Sequence, residues 1–219
     1  MLSLCNINKS FGDVRVLRGI DLCLEKGRIH TLKGGNGSGK TTLFNIITGF
    51  LKPSSGKLSF KDRDITGQLP HRINRQGIGR TFQDLRLALQ MTALENILLA
   101  QERKMFAFTT PEQIRQAEAI LERVALLHQK DTLAGELSYG QQKLLTLGCC
   151  IANNAELLLV DEPVAGIDKD NFRKVTALVR ELRDSGKTIL QIEHHPDYIK
   201  ETSDRIFWME GGHLREEAC

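Results

Sequence analysis

Apolar residues in this chain recur at two different spacings, and the spacing switches several times between its ends. Near the start, "LSLCNIN" and "VRVLRGIDLCL" alternate apolar and polar positions and predict strands. In the second, Val14 and Val16 are followed by Ile20, Leu22 and Leu24. "RIHTLKG" predicts a third strand that ends in a run of glycines. From Lys40 to Gly49 the period becomes helical, with Leu43, Ile46 and Ile47 on one face and Gly49 as a stop. "KPSSG" is a turn leading into a short strand, "KLSF".

Between residues 85 and 133 the strand signals give way to two amphipathic helices, "MTALENILLAQERKMF" and "PEQIRQAEAILERVALL". Thr92 and Thr110–Pro111 are their start signals. Afterwards the alternation of strand and helix resumes. A helix runs from about Tyr139 to Asn153, and "ELLLVDE" is an unbroken apolar run of the kind buried on both faces. "NFRKVTALVRELRDS" is a helix stopped by Gly186, "KTILQIEH" a further strand, and "DRIFWMEGGHLRE" a hairpin turning at Gly211–Gly212. The pattern predicts an α/β core, residues 1–84 and 134–219, with a helical subdomain inserted at 85–133.

Composition mainly excludes. The 219 residues suffice for one large domain or two small ones. A formal charge of +3, from 30 basic and 27 acidic residues, is too even and too scattered for a nucleic-acid footprint. The densest basic stretch, "HRINR" at 71–75, reads as a solvated face. No run of about 18 apolar residues is present to span a bilayer, and the first residues lack the pattern of a signal peptide. Cys5, Cys23, Cys149, Cys150 and Cys219 form no CxxC pair and no metal spacing. They read as small buried hydrophobes in a reducing compartment.

The glycine run carries the first chemistry. Gly34-Gly35-Asn36-Gly37-Ser38-Gly39-Lys40-Thr41 satisfies G-x-x-x-x-G-K-[ST], lies between a strand and a helix, and is followed by Thr42. Glycines let successive backbone N–H groups turn inward as a nest for phosphate oxygens, and the helix aims its positive end at the same place. Lys40 can then reach the β- and γ-phosphates, and the Thr41 hydroxyl can ligate Mg²⁺. The competing reading is a glycine-rich turn without a ligand, which the Lys and Thr in register disfavour.

A second carboxylate is needed to complete such a metal site. "LLLVDEP" supplies Asp161 at the end of a buried strand, where ligands gather in parallel sheets, with Glu162 beside it. Asp161 suits Mg²⁺, and Glu162 is placed to polarise an attacking water. Taken alone, the same dipeptide could equally be a strand leaving the core.

Together with these motifs, "LSYGQQK" at 137–143 resembles the LSGGQ signature of ATP-binding subunits of ABC transporters, and the likeness extends from about Leu2 to His213. The resemblance implies a P-loop NTPase fold of ABC ATPase type: a mixed sheet core, an antiparallel β part and an inserted helical subdomain. It implies that Ser138, Tyr139, Gly140 and Gln141 meet the γ-phosphate held by an opposite subunit, so that two chains sandwich two nucleotides. Ser138 could also simply cap its helix. Gln83 in "RTFQ" matches the glutamine that contacts Mg²⁺ and water and senses the membrane partner. His194 in "QIEHH" matches the switch histidine, and Asp168 in "AGID" the loop that crosses the dimer interface. Phe11 matches the adenine-stacking aromatic and Val16 the apolar contact near it, although a Phe so early could also be core.

Within the family, "GIGRTFQDLRL…MTALENILLA" and "LSYGQQK…LLLVDEPVAGID" look most like subunits for import of branched-chain amino acids, with urea and amide importers sharing much of the pattern. The implied reaction is ATP hydrolysis with Mg²⁺, on the cytoplasmic face of the membrane. The implied partners are a second such subunit, identical or paralogous, transmembrane permeases and, indirectly, a substrate-binding protein. A soluble ABC ATPase is disfavoured by the lack of a second domain, a charged linker or a long coiled coil. A purely regulatory nucleotide module is disfavoured by the intact set Lys40, Gln83, Asp161, Glu162 and His194. Three positions depart from the pattern: Gly35 stands where proline is frequent, Tyr139 for the second signature residue, and Cys149 for an arginine. The importer subunits also generally continue with a helical tail beyond "GGHLREEAC".

Overall fold

The computed structural model describes residues 1–81, 85–101 and 110–217. Strands β1 (Leu2–Phe11), β2 (Val14–Leu24), β4 (Ser55–Phe60) and β5 (Arg63–Asp64) form an antiparallel sheet in the order β2-β1-β4-β5. Leu2 opposes Leu24, Leu4 opposes Leu22 and Ile7 opposes Ile20, so the alternating apolar set lies on one buried face. The same alternation turns Cys5 and Cys23 outward. Both are exposed, which corrects the reading of the cysteines as buried; Cys150 alone among the described cysteines is fully buried.

The second sheet joins β3 (Ile29–Lys33), β6 (Ile78–Arg80), β7 (Leu157–Asp161), β8 (Thr188–Ile192), β9 (Arg205–Glu210) and β10 (His213–Glu216) in the order β10-β9-β3-β8-β7-β6. All its neighbours run parallel except the closing β9–β10 hairpin. β7 is buried along its whole length because it faces two cores. Leu157 and Leu159 join the antiparallel sheet and helix α1 (Lys40–Ile47) in one cluster, with Leu43, Phe44, Leu190 and Ile192. Leu158 and Val160 point to the other, where α5 (Tyr139–Ala152) and α6 (Lys169–Asp184) supply Leu145, Val175 and Val179. Asp161 continues the parity of Leu157 and Leu159 and so emerges on the α1 side.

Helices α3 (Ala93–Gln101) and α4 (Pro111–Arg123) extend the second core through Ile97 and Leu121. Their starts are sequence-encoded: Thr110 forms a capping box with Gln113, and the Thr92 hydroxyl accepts from the Glu95 amide at 3.1 Å. The expected continuation of α3 towards Phe106 lies outside the described residues. "HRINR" is part of α2 (Pro70–Arg75), which buries only Ile73. The last helix, α7 (Pro196–Thr202), starts with proline at its first position and buries Tyr198.

Candidate nucleotide-hydrolysis site

The glycine run forms the turn between β3 and α1. Gly34, Gly37 and Gly39 have φ of 147°, 76° and 104°. At Gly34 a Cβ would overlap the carbonyl oxygen of Met209, so only glycine lets the loop lie against β9. Gly39 occupies the N-cap of α1 and offers no capping side chain, and the first turn holds no acidic residue. The amides of Lys40, Thr41 and Thr42 therefore lack the usual side-chain acceptor. The Ser38 hydroxyl is buried with no hydrogen-bond partner among the described residues. A helix start that offers amides and a hydroxyl without acceptors is an anion cradle.

Lys40 arches back over this loop, its Nζ donating to the carbonyls of Gly34 at 2.6 Å and Gly35 at 2.9 Å. Burial pushes its pKa down, while nearby Glu162 and Asp161 oppose the shift. The Asp161 amide donates to Thr81 Oγ1 at 3.1 Å. Burial pushes the Asp161 carboxyl above its ordinary value, and Arg80, at the end of β6, counters this. Glu162 follows in the left-handed region, at φ 48°, its amide donating to Ile192 O at 2.9 Å. That bond places the base candidate beside the end of β8, where His194 is exposed. The adjacent His195 ring packs 5.0 Å from Phe172, which separates the two histidines by environment.

The structure brings Gly34, Lys40, Asp161 and Glu162 together, with His194 on the neighbouring strand end. Val16 lies against the loop: a Cβ on Gly39 would sit 3.3 Å from its Cγ1. Phe11 is 47% exposed, so it is no core residue; Lys9 Nζ lies 5.0 Å from its ring centre. Gln83 lies outside the described residues. Ser138 caps α5 in a full capping box with Gln141, leaving the amides of Tyr139 and Gly140 uncapped. Gly140 is required by packing, since a Cβ there would meet Asn171 Nδ2 at 2.6 Å. Asp168 spends its carboxylate locally, on the amides of Asp170 and Asn171 and on Asn171 Nδ2, and these bonds lower its pKa.

Three residues escaped the sequence reading. Arg80 reaches Asp161, Lys143 donates to the Glu162 carbonyl, and Glu193 accepts from the His194 and Val164 amides. Helical spacing places Lys143 on the face of buried Leu147 and Cys150, an incongruity visible in the sequence. Cys149, one of the departures from the expected pattern, is partly buried against the second core, its Sγ donating to Asn96 O at 3.7 Å.

Residues 17–165 match the ABC transporter family. The chain belongs to that family. It is an ATP-binding cassette, the ATPase that energises such a transporter. It is 36% identical, over 97% of this chain and 87% of the relative, to a probable branched-chain amino acid transport ATP-binding protein, LivG, of Methanocaldococcus jannaschii. A crystal structure of an ABC transporter cassette in its ADP conformation superposes with a TM-score of 0.91 at 36% identity, covering 100% of this cassette and 91% of that chain. A dimeric bacterial ABC transporter cassette matches at a TM-score of 0.88 and 27% identity, covering 99% and 98%.

Proposed function

We propose that this cassette powers import of branched-chain amino acids or related small polar solutes such as urea and amides. It works on the inner face of the membrane with a second cassette, permease subunits and, through them, a substrate-binding protein. The likeness to LivG supports the substrate class, and the dimeric relative supports pairing. Residues 85–133 act as the helical subdomain, and with the Gln83 loop they pass opening and closing to the permeases. Cavities of about 650 Å³ and 340 Å³ flank β6, the strand that precedes Gln83 in the sequence.

The reading rests on one convergence: an uncapped α1 with an unsatisfied Ser38 hydroxyl, beside Lys40, Asp161 and Glu162. The triphosphate lies in the amide nest, with adenine against Phe11 and Val16 and the γ-phosphate under the partner's signature turn. Mg²⁺ suits the donors, because Asp161 and Thr41 offer only oxygen. No cluster of three His, Cys, Asp or Glu able to hold a metal by itself is found among the described residues. When bound, the ion would neutralise charge on the phosphates.

Glu162 takes a proton from the attacking water as its oxygen bonds to the γ-phosphorus. The bond to the bridging oxygen breaks, and its electron pair leaves on ADP. Lys40 and the loop amides stabilise the charge that spreads over the phosphoryl oxygens, and His194 contacts the γ-phosphate from the segment that follows β8. Glu162→Gln tests this: with ATP binding retained, turnover should fall by roughly 10²- to 10⁴-fold. Near-normal hydrolysis would remove Glu162 as the base, and Lys40→Ala serves as the control for phosphate contact.

A further inference from the structure

Lys143 is buried in the first half of α5, where it lines a small cavity with Leu147, Val160 and Pro163. A buried ammonium is expensive unless its protons are spent, and burial pushes this one's pKa down. It is spent on two backbone carbonyls: Nζ donates to Glu162 O at 2.5 Å and to Ala165 O at 2.8 Å. Nζ also lies 5.0 Å from the centre of the Tyr139 ring.

Those carbonyls belong to the turn that carries the base. Glu162 is held at φ 48°, a conformation its side chain disfavours, so the turn needs external support. One support is the Glu162 amide bond to Ile192 O. A second is Glu193, 3% exposed, whose Oε2 accepts from Val164 N at 3.3 Å while Oε1 accepts from the amides of His194 and His195. Lys143 supplies the third, from the opposite charge and a different element. The turn 162–165 is thus gripped on its Val164 amide by a carboxylate and on its Glu162 and Ala165 carbonyls by an ammonium.

We infer that Lys143 is a positioning residue for hydrolysis, holding the turn 162–165 so that the Glu162 carboxylate faces the attacking water. The inference rests on Glu162 being the base. Packing alone would be served by methionine, which fills a similar volume but takes this donor away from the Glu162 and Ala165 carbonyls. Since α5 begins at the Ser138 turn, the same ammonium ties the base turn to the element that covers the partner's nucleotide.

The test is a double-mutant cycle on the full chain, assembled with its partner subunits, with MgATP as substrate. Lys143→Met should remain folded at the assay temperature, with a melting temperature lowered by the lost carbonyl contacts, and keep the ATP KM within about twofold, yet lower kcat by about tenfold or more, the scale of a misplaced reacting group. Lys143→Arg should recover most of that loss. In a Glu162→Gln background, Lys143→Met should change the residual rate less than about twofold, because there is no base left to position. A wild-type kcat in Lys143→Met, an equal fold loss in both backgrounds, or a loss that merely follows the folded fraction would overturn the inference. If Glu162→Gln itself hydrolyses ATP normally, the base assignment falls first. If Glu162→Gln is inactive while Lys143→Met is not slowed, only the positioning role falls.

Discussion

Arg80 Nη2 lies 3.5 Å from Asp161 Oδ2, with both side chains 5% exposed. The same guanidinium donates to Asn45 Oδ1 at 2.6 Å and lies over the Phe44 ring, so it pins the Asp161 carboxylate to α1 as well as to β6. Burial is the largest influence on both members, lowering the pKa of Arg80 and raising that of Asp161. The pair therefore offsets a desolvation cost rather than adding a surplus.

Arg80→Met would leave Asp161 buried without that partner, and unfolding stability should fall by about 3 kcal/mol at neutral pH. Because an elevated carboxyl pKa favours the protonated form in the fold, stability from this group is lost as pH rises through the folded pKa. The deficit should therefore shrink as pH is lowered towards the range where Asp161 protonates. Adding Asp161→Asn should return part of it. Urea unfolding of the two variants across pH checks both expectations; a deficit independent of pH would exclude the charge as its cause.

Gly34 and Gly35 are neighbours with opposite tolerance. A Cβ at Gly34 would overlap Met209 O and lie 2.9 Å from Ser38 Oγ, at φ 147°, whereas at Gly35 it meets nothing within 4 Å. Gly34→Ala should cost about 1–3 kcal/mol, the scale of overpacking, and weaken ATP binding. Gly35→Ala should change stability by less than about 1 kcal/mol, through the unfolded chain alone. Thermal melts of the two variants, with and without ATP, decide; equal losses would refute the packing argument.

His30 is fully buried in β3 and stacked on Phe207, with ring centres 6.0 Å apart. Its Nε2 lies 3.2 Å from both the nitrogen and the oxygen of Glu25, and its Nδ1 has no partner among the described residues. Burial depresses its pKa below 6.5, although the Glu25 carbonyl opposes this. The folded chain thus keeps the neutral ring, and the associated stability is full above 6.5 and lost as pH falls through the lower folded value. Urea unfolding about one pH unit either side of 6.5 should show a steeper loss on the acid side for wild type than for His30→Gln. Parallel slopes would exclude His30 as the source.

Much of this was legible because the signals were local. The Thr110 capping box, the alternation in β1 and β2, and the switch of period at Lys40 each depend on residues a few positions apart. α2, β5, β6 and α7 were missed because they are short, two to seven residues each, too few to show a period; α2 buries Ile73 alone. The exposed Cys5 and Cys23 were misread because burial depends on which sheet face a sheet turns inward, not on residue type.

The chain's own pattern determined the phosphate loop and the carboxylates at the end of β7, since backbone amides, a lysine and a hydroxyl at set spacing suffice to cradle an anion. Tertiary structure alone decided which side chains support them. Arg80 reaches Asp161 from β6, while Lys143 from α5 and Glu193 just past β8 reach the turn after β7, all through partners that no local spacing encodes. Their roles come from desolvation: in a closed interior, each buried charge must find the particular donors and acceptors that folding brings to it.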